Sequence, residues 1–240
     1  MSTFGLLCFV IVNMAIAMII PKYAYQYAKY KQEKRGKEFT GQITTSMRVV
    51  SVLSAVAYSL YAYMFLPLTS AVFASIFMMF AIFGVIVDHM IRIIGNEMVG
   101  IMLIVANIYR VMDGGFKSLL GSLLAIVCVI AYFALADLIV RLHHGQRGVG
   151  MGDVKLAMVI AVAVGFPGIY YFVIGMAIAV LYVVLSRILK NIYLWKQVFN
   201  PNNTFPMCGP IMVGLLFTII QQPVIYHFNT YIAPILGMTI

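Results

Sequence analysis

Charge is what this chain has least of. Only 10% of its 240 residues are charged and only seven are acidic, where a soluble domain carries roughly 25% charged residues. That scarcity excludes an ordinary soluble fold, because no soluble core absorbs a chain that is 63% hydrophobic. Cysteine is nearly as sparse. Cys8, Cys128 and Cys208 are scattered with no CxxC among them, so neither a zinc knuckle nor a disulfide framework is available. The apolar stretches also lack strict alternation, which argues against a transmembrane β-barrel.

What remains is a chain of long apolar runs, with a mean hydropathy of +1.01. Lipid offers backbone N–H and C=O groups no partner, so such runs cross the bilayer as helices. The expected fold is therefore an all-α integral membrane protein, a polytopic bundle of about eight transmembrane helices (six to eight). The expected segments are 4–21, 47–66, 71–88, 98–112, 119–140, 153–165, 169–186 and 207–222. Segments four and six are shorter than the roughly 20 residues of a full crossing. They are candidates for tilted, re-entrant or bundle-packed helices. The whole chain, 1–240, reads as one membrane domain, with N-terminal helices and a basic loop (22–46) in 1–66 and a catalytic core in 67–222. The first segment lacks a basic stretch before it, so it reads as a retained helix and not as a signal peptide.

The formal net charge of +9 raises the question of nucleic acid, but the positions of the charges answer it. Lys22, Lys29, Lys31, Lys34, Arg35, Lys37 and Arg48 crowd one inter-helix segment. Arg141, Arg147 and Lys155 mark another, and Arg187, Lys190 and Lys196 a third. With eight crossings, all 16 Lys and Arg except Arg110 and Lys117 fall on one side. That is the positive-inside pattern of a cytoplasmic face, and no nucleic-acid partner is needed to explain it.

Against this background the acidic residues stand out. Asp153 lies in Gly150-Met151-Gly152-Asp153-Val154-Lys155, at the mouth of an apolar run, where a carboxylate is costly and rarely without a role. Asp88 ends an earlier run on the same expected side and at the same expected depth. Two carboxyls brought together share one proton, because both cannot ionise cheaply. One can then take a proton from water while the other polarises a peptide carbonyl, with no metal and no covalent nucleophile. Asp153 begins a helix and Asp88 ends one, so the helix dipole favours Asp153 as the base and Asp88 as the acid. Gly150 and Gly152 either let a substrate backbone approach or simply form the turn before a helix. Lys155 either tunes Asp153 or anchors the helix end at the interface. Asn96 is expected to order the segment after Asp88 by capping the next helix.

These residues resemble a known family. Gly150–Leu156 resembles the GxGD motif of type IV prepilin peptidases, which are membrane aspartyl proteases. Asp88 followed eight positions later by Asn96 is similar to that family's first motif, although Gly95 stands where the family usually has proline. Phe205-Pro206-Met207-Cys208-Gly209-Pro210 is similar to the segment opening the family's last helix. The resemblance covers roughly residues 70–220. It implies cleavage of the basic leader of type IV prepilins or pseudopilins at the cytoplasmic face of the inner membrane, by Asp88 and Asp153 with Gly150, Gly152, Lys155 and Asn96 in support. Proteolysis of this kind needs no cofactor. Larger members also N-methylate the product with S-adenosylmethionine and carry a loop with two CxxC pairs. The cysteine-free 22–46 segment departs from that pattern and leaves methylation open.

Other readings compete. A proton-coupled transporter also uses intramembrane acids, but these two sit at the rim, no internal repeat is evident, and Asp137 is accounted for by Arg141 four residues on. His89, His143 and His144 could join the aspartates in a metal site, yet no HExxH accompanies them. Presenilin-like enzymes share GxGD but carry Tyr-Asp and Pro-Ala-Leu motifs not found here. A preflagellin peptidase shares the chemistry and is the nearer alternative.

Overall fold

The computed structural model describes residues 3–144, 150–193 and 207–227, and among them every regular element is an α-helix. In chain order these are α1 (Thr3–Glu33), α2 (Thr45–Phe65), α3 (Leu68–Ile91), α4 (Asn96–Gly114), α5 (Ser118–His144), α6 (Met151–Tyr193) and α7 (Cys208–His227). Helix α6 breaks at Gly165 and Phe166, whose backbones leave the helical region, so eight helical rods correspond to the eight expected segments. The chain is an all-α polytopic membrane protein. Five rods are long and apolar enough to cross a bilayer: Thr3–Glu33, Thr45–Phe65, Leu68–Ile91, Ser118–Leu138 and Gly168–Ser186.

Of the remaining three, the first part of α6 and α7 supply much of the centre, while α4 buries only Met98, Met102 and Ala106. From Leu156 to Val164 the first part of α6 is almost wholly buried. This follows from a sequence apolar on every side, which leaves a helix no polar face to show. Helix α6 as a whole packs against α4, α5 and α7. Elsewhere the interfaces are made by small residues. Ala17, Ala24 and Ala28 of α1, Ala55 and Ala62 of α2, and Ala71 and Ala74 of α3 are all fully buried. Between helices in lipid, small side chains let backbones approach and maximise dispersion contact. Leucines, isoleucines and valines face outward instead, as at Leu53, Val85, Ile104, Leu123 and Leu181.

Several boundaries differ from the sequence reading. Helices α5, α6 and α7 run on to His144, Tyr193 and His227, past the expected 140, 186 and 222. The expected loop 22–46 is helical as far as Glu33, with Pro21 inside the helix. Buried Ala17, Pro21, Ala24 and Ala28 form one continuous stripe at three- and four-residue spacing, which carries the helix past its charges. Helix α3 likewise continues to Ile91, so Asp88 lies one turn inside it. Its end is fixed by Arg92, a non-glycine residue with φ 52°, whose N–H donates to the Asp88 carbonyl at 2.9 Å. That left-handed conformation costs on the order of 1–2 kcal/mol in an L-residue.

Candidate active site

Four helix ends meet around Asp88: the last turn of α3 and the first turns of α4, α6 and α7. The Asp88 side chain is 7% exposed. Its Oδ2 accepts the backbone N–H of Cys208, the first residue of α7, at 3.3 Å. The N-terminal end of α7 therefore points at this carboxylate, supplying a donor that the helix leaves unused. Asp153, half-buried in the first turn of α6, lies close enough to Asp88 to feel its charge, and the Cys208 thiol feels both carboxylates. His89 and Arg92 add positive charge within reach of Asp88.

This arrangement corrects the ordering expected from helix dipoles. Asp88 does end α3, but its side chain faces the N-terminus of α7, just as Asp153 occupies the N-terminus of α6. Both carboxylates sit at positive dipole ends, and dipoles no longer separate an acid from a base.

The supporting residues are also brought to this end of the bundle. Gly150 precedes α6, and its carbonyl accepts the N–H groups of Asp153 at 3.0 Å and Val154 at 3.2 Å. A Cβ built on Gly150 would lie 2.8 Å from Asp153 Oδ2, so a side chain there would push against the carboxylate. A Cβ on Gly152 would approach Ile94 to 3.4 Å, so this glycine seats α6 against the turn after Asp88. Neither glycine has a positive φ, and closeness rather than unusual dihedrals explains them. Lys155 bonds neither aspartate: its Nζ donates to Asn96 Oδ1 at 3.2 Å. Nor does Asn96 cap α4. The N-cap is Gly95, without a side-chain cap bond, and the Asn96 amide instead ties α4 to α6.

One element of this region was not anticipated. The helical extension of α1 reaches the turn after Asp88, where Tyr27 Oη donates to Glu97 Oε2 at 2.7 Å and Lys31 Nζ donates to Glu97 Oε1 at 2.6 Å. These two donors hold the Glu97 carboxyl far below its ordinary range, at about 2. The Tyr27 hydroxyl occupies the place where a side chain at position 95 would start. Gly95 therefore departs from the expected proline because α1 fills the space a proline ring needs. The sequence signal was the period of Ala24, Ala28 and Lys31, obscured by the charges among them.

Among the other residues singled out earlier, Asp137 pairs with Arg141 at 2.6 Å, as expected. His143 and His144 end α5, but their side chains, residues 145–149, and Phe205 and Pro206 lie outside the described residues.

The segment 75–185 matches the model of the type IV leader peptidase family. Asp88 and Asp153 both lie inside the matched range, while Cys208, which holds Asp88, lies beyond it. The match supports a leader-peptidase-like protease in general. No curated protein and no solved structure matches the chain.

Proposed function

We propose that the protein is a membrane aspartyl endopeptidase that removes the basic leader of a type IV prepilin or pseudopilin, with Asp88 and Asp153 as the catalytic pair. The observation that carries this reading is the convergence of the two carboxyl groups, 65 positions apart in sequence, at one end of the bundle. With one proton between them, the ionised carboxylate takes a proton from water, and the resulting hydroxide adds to the scissile carbonyl. The protonated partner gives its proton to the carbonyl oxygen. Collapse of the tetrahedral intermediate returns a proton to the departing amine. The Cys208 N–H fixes the rotamer of Asp88, and Gly150 leaves Asp153 room to turn.

The positive-inside pattern supports a cytoplasmic position for this site in the inner membrane, where a basic leader would lie. Membrane lipid surrounds the protein, and nucleic acid is no part of the reading. Cleavage requires no cofactor. N-methylation of the product would require S-adenosylmethionine, and the mass of a processed pilin's N-terminus decides whether that step follows. The test is cleavage of a purified prepilin in detergent by the protein and by Asp88→Asn and Asp153→Asn, each shown to be folded. Loss of cleavage in both variants is expected. Cleavage by either folded variant contradicts the assignment.

A further inference from the structure

Arg110 is one of only two cations that the positive-inside pattern leaves on the far side of the membrane. It lies 14 positions after Asn96 on α4, about 21 Å from the active-site end at a rise of ~1.5 Å per residue. The fold makes a seat for it. At Gly165, where α6 breaks with φ 60°, any Cβ would fall on the Arg110 guanidinium, and a Cβ on Gly121 would stand 3.5 Å from its Nη2. Two helices thus give up side chains where the guanidinium lies.

Seated this way, Arg110 faces a cavity of about 620 Å³ lined also by Asp113, Tyr171, Thr218, Gln221 and Phe166. The Arg110 side chain is 15% exposed. Its Nε donates to the Ser118 carbonyl at a long 3.4 Å, and Nη1 stands 3.6 Å from Asp113 Oδ2. Among the described residues, its Nη hydrogens meet no acceptor at hydrogen-bond distance. A guanidinium with free donors is expensive inside a membrane bundle, and its planar fork matches an oxyanion. Asp113 beside it offers an acceptor for a cation.

We infer that this cavity binds a zwitterionic phospholipid headgroup, with the phosphate on Arg110 and the ammonium beside Asp113. A cation and an anion lining one cavity fit a ligand carrying both charges better than a purely anionic one. The apolar lining at Phe166 and the lipid-facing helices around it suit the acyl chains. The inference is independent of the proteolytic reading, since it concerns the opposite end of the bundle.

The test places the full chain in nanodiscs of phosphatidylethanolamine and phosphatidylglycerol in equal parts and counts retained lipid by native mass spectrometry. The protein is expected to keep phosphatidylethanolamine over phosphatidylglycerol, and inorganic phosphate should not displace it. Arg110→Met should lower retention about tenfold or more, as loss of a charge-assisted bond predicts, and Asp113→Asn should erase the preference between the two lipids. Arg110→Lys keeps the charge without the fork and should fall between, which guards against misfolding of the methionine variant. Equal retention of both lipids by the unmodified protein overturns the inference. So does unchanged retention in folded Arg110→Met, or displacement by inorganic phosphate, which would mark a free-phosphate site.

Discussion

The backbone N–H of Cys208 donates to Oδ2 of Asp88 across 120 positions of sequence. This bond makes the start of α7 part of the candidate active site, although Cys208 lies outside the segment that carries the leader-peptidase match. The contribution comes from the main chain, so it separates cleanly from the thiol.

Replacing Cys208 by alanine keeps the N–H, whereas proline removes it. Proline is accepted at the first position of a helix, where the N–H has no intrahelical partner. Cys208→Pro is expected to lower kcat for leader cleavage by about 10- to 100-fold, the worth of a hydrogen bond to a charged group. Cys208→Ala should stay within about threefold of the parent, since the N–H that holds Asp88 is retained. Equal rates in the two variants, measured by single-turnover cleavage, would remove the bond from the account.

Gly95 and Tyr27 cannot both carry full side chains. Gly95→Ala is expected to lose about 1–3 kcal/mol of stability through overpacking. Tyr27→Ala in the same chain should recover part of that loss, a non-additivity expected of touching residues. Thermal unfolding of the two single variants and the double variant in detergent checks this. Strictly additive losses would mean that α1 does not fill the site beside the turn.

Glu97 gives a pH signature. Its folded-state carboxyl lies at about 2 because Lys31 and Tyr27 donate to it. A depressed value means stability that is complete above the ordinary carboxylate range of about 4.3 and is lost as the pH falls towards the folded value. Glu97→Gln should therefore unfold at a slightly lower temperature than the parent at pH 7, with the gap constant down to about pH 5 and closing below about pH 4. The gap should be small, since the pair is exposed to solvent and screened by it. A gap that widens on acidification would contradict the assignment of the pair.

Gly165 carries a left-handed backbone with the Arg110 guanidinium beside it. Gly165→Ala should cost at least the ~1–2 kcal/mol of an L-residue forced into that region. Combined with Arg110→Met it should lose less than the sum of the two single changes. Unfolding midpoints of the three variants measure the difference, and a fully additive result would separate the kink from its arginine.

Much of this molecule is legible in its sequence because lipid imposes a simple rule. Apolar runs had to become helices, and the run before Asp88 and the run after Asp153 were found within a few residues of their ends. The α1 extension was harder to see, since its buried stripe of small residues runs beneath Lys22, Lys29 and Lys31, which mimic a loop. The Asp88–Cys208 bond could not be read at all. It depends on how α7 docks against α3, a tertiary choice that hydropathy does not encode. Asn96 shows the same limit: its position was recognised, but its partner Lys155 comes from another helix, so local capping logic misassigned its role. Arg110 was visible as an anomaly of charge, while the glycines that seat it lie on α5 and α6.

The central claim is that Asp88 and Asp153 act as one catalytic unit. The most direct measurement is the single-turnover rate of prepilin cleavage by the parent protein, folded Asp88→Asn, folded Asp153→Asn and the double variant. The account predicts that each single change abolishes cleavage as completely as the double change, because residues acting as a unit are not additive. A single variant that retains measurable cleavage, or a double variant far slower than either single one, would show that the two carboxyl groups do not share the chemistry.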